Sequence, residues 1–432
     1  MRRVRQLVVI GSVVGVLAVG LFAIGAVSGP AAKDSSVSTS VPRRDGSLGS
    51  AIAAAQQQLR DNPKDARTWA ALAIDYVAQA KATVDPSYYP KAEGAVATSL
   101  TLDHTSNDIG YAALAGLKNA EHDFAAALVA ARRGLAINAY SSTLYGALGD
   151  AYTQLGHYAD AAKAIDRMNR LLPGVPAFTR ASYVFELRGD VTGARAALER
   201  ALQDATSPGD IAFARTYLGE LALNYGGHAA AALTQFEAAH QADPTDFAAR
   251  AGIAKALVAL GRTQDARAAY SALVNAVPQP QYVLDNAELL QSQHDPAATR
   301  QYALFRTEEA LFRANHVVLD TEPTLFEADH GSPAKALEYA KAGWASRPFL
   351  EMADAYAWAL YANKRYAEAL TWSDRALATG WTNALFHFHR GMIEKQLHRR
   401  AEARRDLRTC LALDPGFNPL QVTMAKRSLA GL

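Results

Sequence analysis

The chain has 432 residues, of which 50% are hydrophobic and 20% charged, with a formal net charge of +2. That composition argues for a folded chain and against a disordered one, and with so small a net charge no global field marks it as a nucleic-acid binder. The single cysteine, Cys410, excludes an intramolecular disulfide and sits where a small buried residue is wanted, so it reads as a core thiol.

The first element is an uncharged run from Leu7 to Val27 behind Arg2, Arg3 and Arg5. About 20 apolar residues suffice to cross a bilayer as a helix. Ala26-Val27-Ser28 would serve as a cleavage site, but the run exceeds the apolar core of an ordinary signal peptide. Residues 1–29 therefore read as an uncleaved signal anchor, a single transmembrane helix, with cleavage and secretion as the alternative. The basic residues crowd its N-terminal side and place the rest of the chain outside the cytoplasm. Residues 30–50 are Ser-, Thr-, Pro- and Gly-bearing with scattered charge, and read as a flexible linker.

From Ala51 the periodicity is helical and stays so. Ala51 to Leu59 reads as the second helix of an incomplete unit, and Trp69-x-x-Leu72-Ala73-x-x-Tyr76 opens the next. The plainest unit runs Tyr145-x-x-Leu148-Gly149-x-x-Tyr152, then Gly156, Tyr158, Ala161, Ile165 and Pro173. A step of about 34 residues links Tyr145 to Tyr111, Ala232 to Ala266, Phe236 to Tyr270 and Pro244 to Pro278, the period of a helix-turn-helix repeat. Beyond Pro278 the pattern loosens, and the helix through Ala298, Tyr302 and Phe305 runs to Arg313 without a stop signal. Gly391, Ala403, Leu407, Cys410 and Pro415 mark the last full unit, and residues 419–432 read as a capping helix with a polar outer face.

This skeleton resembles the tetratricopeptide repeat across nearly everything from Ala51 to Pro415. The segment Leu304 to His330, with Arg347-Pro348 and Trp358-Ala359-Leu360 after it, is similar to the membrane-tethered or exported repeat proteins of high-GC Gram-positive bacteria. The resemblance implies an all-α chain: a right-handed α-solenoid of about nine to ten repeat units over residues 51–418. It also implies that first helices line a concave face that binds a protein or peptide. One subclass clamps C-terminal carboxylates with Lys and Asn on those helices. Here the matching positions hold Gly146 and Asp150, or Ala251 and Lys255, which departs from that pattern.

The chain is thus expected to be a membrane-tethered, extracytoplasmic scaffold and not an enzyme. The alternatives are a cytoplasmic-facing regulator of a membrane complex, or a metal or catalytic site among the acids of residues 308–330. For the scaffold, Glu351, Asp354, Trp358 and Tyr361 recur at i, i+3, i+7 and i+10 and share one helical face. Phe388, Met392 and Lys395 take the same place in the following unit, so these seven residues are the candidate partner-binding groove. The competing reading of Trp358 and Tyr361 is packing between helices. His387 and His389 point about 200° apart on a helix, poor geometry for one metal. Arg399, Arg400, Arg404, Arg405 and Arg408 read as a solvated face. No phosphate loop or nucleophile elbow appears, and no cofactor, metal or nucleic-acid partner is expected.

Overall fold

The computed structural model describes residues 48–83, 85, 87–314 and 321–432. The signal anchor and nearly all of the linker lie outside the described residues, as do His316 and Asp320 of the acidic segment. Among the described residues the chain is all-helical, and no helix is long and apolar enough to cross a membrane.

A first helix, α1 (Leu48–Asp61), begins slightly before the expected linker boundary at residue 50. Ten helix pairs follow, matching the nine to ten repeat units expected. The described residues form two compact units, 48–82 with 87–181 and 182–432, and the chain passes from one to the other within α8 (Val175–Glu186).

In the N-terminal unit the pairs are α2 (Ala66–Thr83) with α3 (Tyr88–Leu102), α4 (Asp108–Ala120) with α5 (Phe124–Ile137), and α6 (Ser142–Gln154) with α7 (Tyr158–Leu171). The core shared by the last two pairs is mostly alanine: Ala112, Ala115, Ala130, Ala131 and Ala147 surround Leu144 and Leu148. Small side chains let the axes approach closely, and Ala carries no helix-propensity penalty. Helix entry is set by short polar caps; Asp123 accepts from the Ala126 amide ahead of α5.

The turn inside a pair needs a left-handed residue. Gly156 supplies it after α6, with φ of 74°, as does Gly261 in the C-terminal unit, with φ of 71°. His122, His294, Lys364 and His398 hold the same conformation without glycine's freedom, Lys364 at φ 61°. Lys364 is exposed, so Lys364→Gly is expected to raise stability by up to about 1 kcal/mol. Chemical denaturation of the two proteins checks this.

In the C-terminal unit α9 (Val191–Asp204) completes the pair begun by α8. There follow α10 (Pro208–Asn224) with α11 (Ala229–Ala242), α12 (Phe247–Ala259) with α13 (Thr263–Ala276), and α14 (Pro280–Ser292) with α15 (Ala297–Ala314). Then come α16 (Thr321–His330) with α17 (Pro333–Ser346), α18 (Leu350–Ala362) with α19 (Tyr366–Ala376), and α20 (Ala384–Gln396) with α21 (Arg400–Leu413). Interlocking here runs from large second-helix residues into first-helix glycines. Phe236 of α11 is fully buried against Gly219 of α10 and Gly252 of α12, where a Cβ would stand 2.7 and 2.3 Å from its ring.

The last helix, α22 (Pro419–Ala430), does more than cap α21. It packs back onto α14 and α20, so the C-terminal unit closes on itself. The Gly226 and Gly227 amides of the α10–α11 turn both donate to the Leu413 carbonyl, at 3.0 and 2.9 Å. Gly416 lies so close to α12 that a Cβ would stand 2.6 Å from the Ala259 Cα. Asn418 Nδ2 donates to Glu288 Oε2 on α14 at 2.6 Å.

Candidate functional site

Two places in the C-terminal unit bear on function. The first is the face predicted from the i, i+3, i+7, i+10 spacing on α18. Trp358, Tyr361, Phe388 and Met392 come together, largely inside the unit's own core. Trp358 and Phe388 share a cluster with Met392, Leu407, Cys410 and Ala425 of α22. Trp358 Nε1 donates to Asp329 Oδ1 at 2.8 Å, and its ring stacks between Tyr361 and His389, with centroids 4.4 and 4.1 Å away. Asp354 is buried and meets His389 Nδ1 at 2.8 Å.

Lys395 Nζ donates to Ser428 Oγ of α22 at 3.0 Å, and Glu351 accepts from the Tyr183 hydroxyl at 3.3 Å. Only Glu351, Tyr361 and Lys395 are part-exposed; Asp354, Trp358, Phe388 and Met392 are buried. Part of the reason is α22, which besides capping α21 lays Ala425 and Ser428 against Trp358, Met392 and Lys395, while His389 of α20 covers Asp354.

The second place is a cavity of about 210 Å³ between the inner helices and the two segments that close over them. Glu220 of α10, Lys255 of α12, and Asp285 and Glu288 of α14 form one wall. The α19–α20 connection and the α21–α22 connection form the other. Trp381 Nε1 donates to the Tyr225 hydroxyl at 2.8 Å, and that hydroxyl donates to Glu186 Oε1 at 2.9 Å.

The electrostatics follow from burial of like charges. Burial pushes the Glu186 carboxyl up to about 7, against the Tyr225 hydrogen bond, with the Glu220 charge adding to the rise. Burial likewise lifts Asp414 to about 6 and raises Asp285. Burial works to lower the Lys255 ammonium, but the carboxylates of Glu220, Asp285 and Asp414 outweigh it and its pKa is raised.

Residues 223–284, which supply α11, α12, α13 and part of this wall, match the tetratricopeptide repeat family model. The helix pairs of this stretch are tetratricopeptide repeats. No curated protein matches the chain. Among solved structures, the human IFIT1 dimer with m7Gppp-AAAA is similar at 15% identity over 77% of this chain and 77% of that one, with a TM-score of 0.49. A thermophilic tetratricopeptide-repeat protein of Thermus thermophilus is 20% identical, covering 49% of this chain and 100% of its own, with a TM-score of 0.37. One from Parabacteroides merdae is 16% identical, covering 59% and 97%, with a TM-score of 0.35. These are likenesses of fold alone.

The tetratricopeptide register explains how the cavity wall arises. Gly219-Glu220 on α10 repeats Gly149-Asp150 on α6, and Lys255 on α12 and Glu288 on α14 take the same place about one repeat apart. A single inner position thus carries three of the cavity's charges, Glu220, Lys255 and Glu288. Following that one position through the repeats would have found Glu220 and Glu288 from sequence. Glu186, Trp381 and Asp414 carry no such signal, because chain closure brings them in.

In the acidic segment, Glu327 and Asp329 are held in structural pairs. Glu327 is buried and accepts from Arg306 at 2.9 Å and from the Ser332 amide at 2.7 Å. Asp329 accepts from Trp358 and from Gln421 of α22. Among the described residues no three His, Cys, Asp or Glu side chains gather closely enough to hold a metal ion. His387 and His389 face opposite ways, toward Asp406 of α21 and Asp354 of α18. Cys410 is fully buried, and burial pushes its thiol up to about 12.

Proposed function

We propose that the chain is a protein-binding scaffold held at a membrane by its N-terminal apolar run, with the repeats outside the cytoplasm. The observation that carries the scaffold reading is the series of helix pairs among the described residues, of which residues 223–284 match the tetratricopeptide repeat, an architecture that builds extended binding surface. The membrane reading rests on the sequence from Leu7 to Val27 and the arginines before it.

Of the candidate residues, Glu351, Tyr361 and Lys395 meet the partner directly, while Asp354, Trp358, Phe388 and Met392 shape that face from the core. A protein or peptide with complementary basic and apolar groups fits a rim of one acid, one phenol and one ammonium. Placing a photo-crosslinking residue at position 361 and recovering adducts from membranes is expected to trap one specific protein. Trapping from a crosslinker at position 395 should fall several-fold in Glu351→Ala, with the melting temperature retained. Recovery of no enriched protein across growth conditions would overturn the scaffold reading. External protease on intact cells tests the side: digestion of the repeats supports the proposal, and full protection refutes it.

A further inference from the structure

The cavity in the C-terminal unit holds charge that its own walls leave unmatched. Glu288 is satisfied on both oxygens, Oε1 meeting His330 Nε2 at 3.1 Å and Oε2 accepting from Asn418. Glu186 accepts from Tyr225, and Asp414 accepts from the Gly416 amide at 2.8 Å. Glu220 makes no hydrogen bond or ion pair among the described residues. Asp285 uses Oδ1 to accept from Gln281 at 2.6 Å, while its Oδ2 is sealed from bulk water with the Tyr270 hydroxyl as its one neighbouring donor among the described residues. Lys255, the lysine in this wall, likewise makes no hydrogen bond and has no carboxylate within 4.0 Å among the described residues. Its ammonium faces the acids across the cavity without touching them.

A carboxylate oxygen sealed from water is satisfied by a donor, and an excess of carboxylates over ammonium is relieved by protons or by a cation. A bound ammonium or guanidinium supplies both donor and charge. The carboxylates do not converge as metal ligands do. Trp381, Tyr225 and Tyr270 add aromatic wall, which favours a diffuse organic cation over a bare ion. The volume of about 210 Å³ admits a short chain of a few heavy atoms.

The geometry points to a binding site for an organic cation, a primary ammonium or a guanidinium, held between Glu220 and Asp285 with Lys255 as the internal counter-cation it competes with. The inference stands apart from the scaffold reading. The cation is a free small amine or the side chain of a basic peptide, and these share the same recognition chemistry.

Titration calorimetry of the full chain tests it, using n-butylammonium and n-butylguanidinium, with n-butanol and n-butyrate as the neutral and anionic counterparts. Saturable uptake of a cation and of neither counterpart is expected. Glu220→Gln and Asp285→Asn should each weaken it about tenfold or more, with the melting temperature kept or raised because each removes a buried like charge. Lys255→Met should tighten it about tenfold, a change that a purely structural lysine would not produce. Acetylated, amidated Gly-Lys-Gly and Gly-Arg-Gly separate the sources: tighter uptake of the tripeptides marks a peptide side chain, and uptake of the simple amines alone marks a small molecule. The proposal is overturned by no saturable heat, by equal uptake of n-butanol, or by uptake indifferent to both acid substitutions.

Discussion

Gly252→Ala is expected to destabilise the C-terminal unit by about 3 kcal/mol or more, a large loss for one methyl group. The added Cβ would stand 2.3 Å from two ring atoms of Phe236, and the same ring edge is seated on Gly219, where an added Cβ would stand 2.7 Å away, so the fully buried ring has little room to retreat. Phe236→Ala should cost about 3–5 kcal/mol by emptying the same place. The double variant separates this wedge from general fragility. With the ring gone the new methyl has space, so the two losses should fall short of additive by about 1–3 kcal/mol. Chemical denaturation of the four proteins reads the coupling. Strict additivity would show that the glycine serves backbone geometry and not the close fit to Phe236.

That wedge was only half legible in the sequence. The step linking Phe236 to Tyr270 and Ala232 to Ala266 located α11 and α13 correctly, because helical periodicity and proline stops are local properties. The same local logic found the shared face of α18 and α20. What it missed is closure. Whether the α10–α11 turn meets Leu413 depends on a small rotation accumulated over several repeats, and no single window of sequence contains it. Pro419 to Leu432 illustrates the limit: the residues read correctly as a terminal helix, but nothing local says that Asn418 finds Glu288. The fold was therefore largely readable, whereas the cavity was readable only along its repeated inner position, Glu220, Lys255 and Glu288.

Asp406→Ala is the second substitution expected to be severe, at about 3–5 kcal/mol. Asp406 is buried on α21 and accepts two hydrogen bonds from Arg390, at 2.9 and 2.7 Å, and one contact from His387 Nδ1 at 2.7 Å. Removing it leaves a half-buried guanidinium without its buried partner and a buried imidazole with neither nitrogen matched, since His387 Nε2 already has no partner. Burial alone would raise this carboxyl, but His387 and Arg390 hold it well below the usual range. Glu394 beside it is raised, first by burial and then by the Asp406 charge.

The two groups act on stability in opposite directions. A depressed carboxyl gives stability that is fully present above its unfolded value, near pH 4, and is lost as pH falls through its folded value. A raised carboxyl keeps a proton in the folded state that the unfolded chain releases. Stability therefore falls as pH rises from about 4.5 through the raised value. Wild-type protein should accordingly melt at lower temperature at pH 8 than at pH 6. Glu186, pushed up to about 7, contributes to the same slope. Glu394→Gln should reduce that slope while leaving Arg390 paired with Asp406, and Asp406→Ala should also reduce it because the charge that raises Glu394 is gone. Thermal unfolding followed by circular dichroism at both pH values tests the assignment. An unchanged slope in Glu394→Gln would mean that Glu394 does not hold its proton in the folded state.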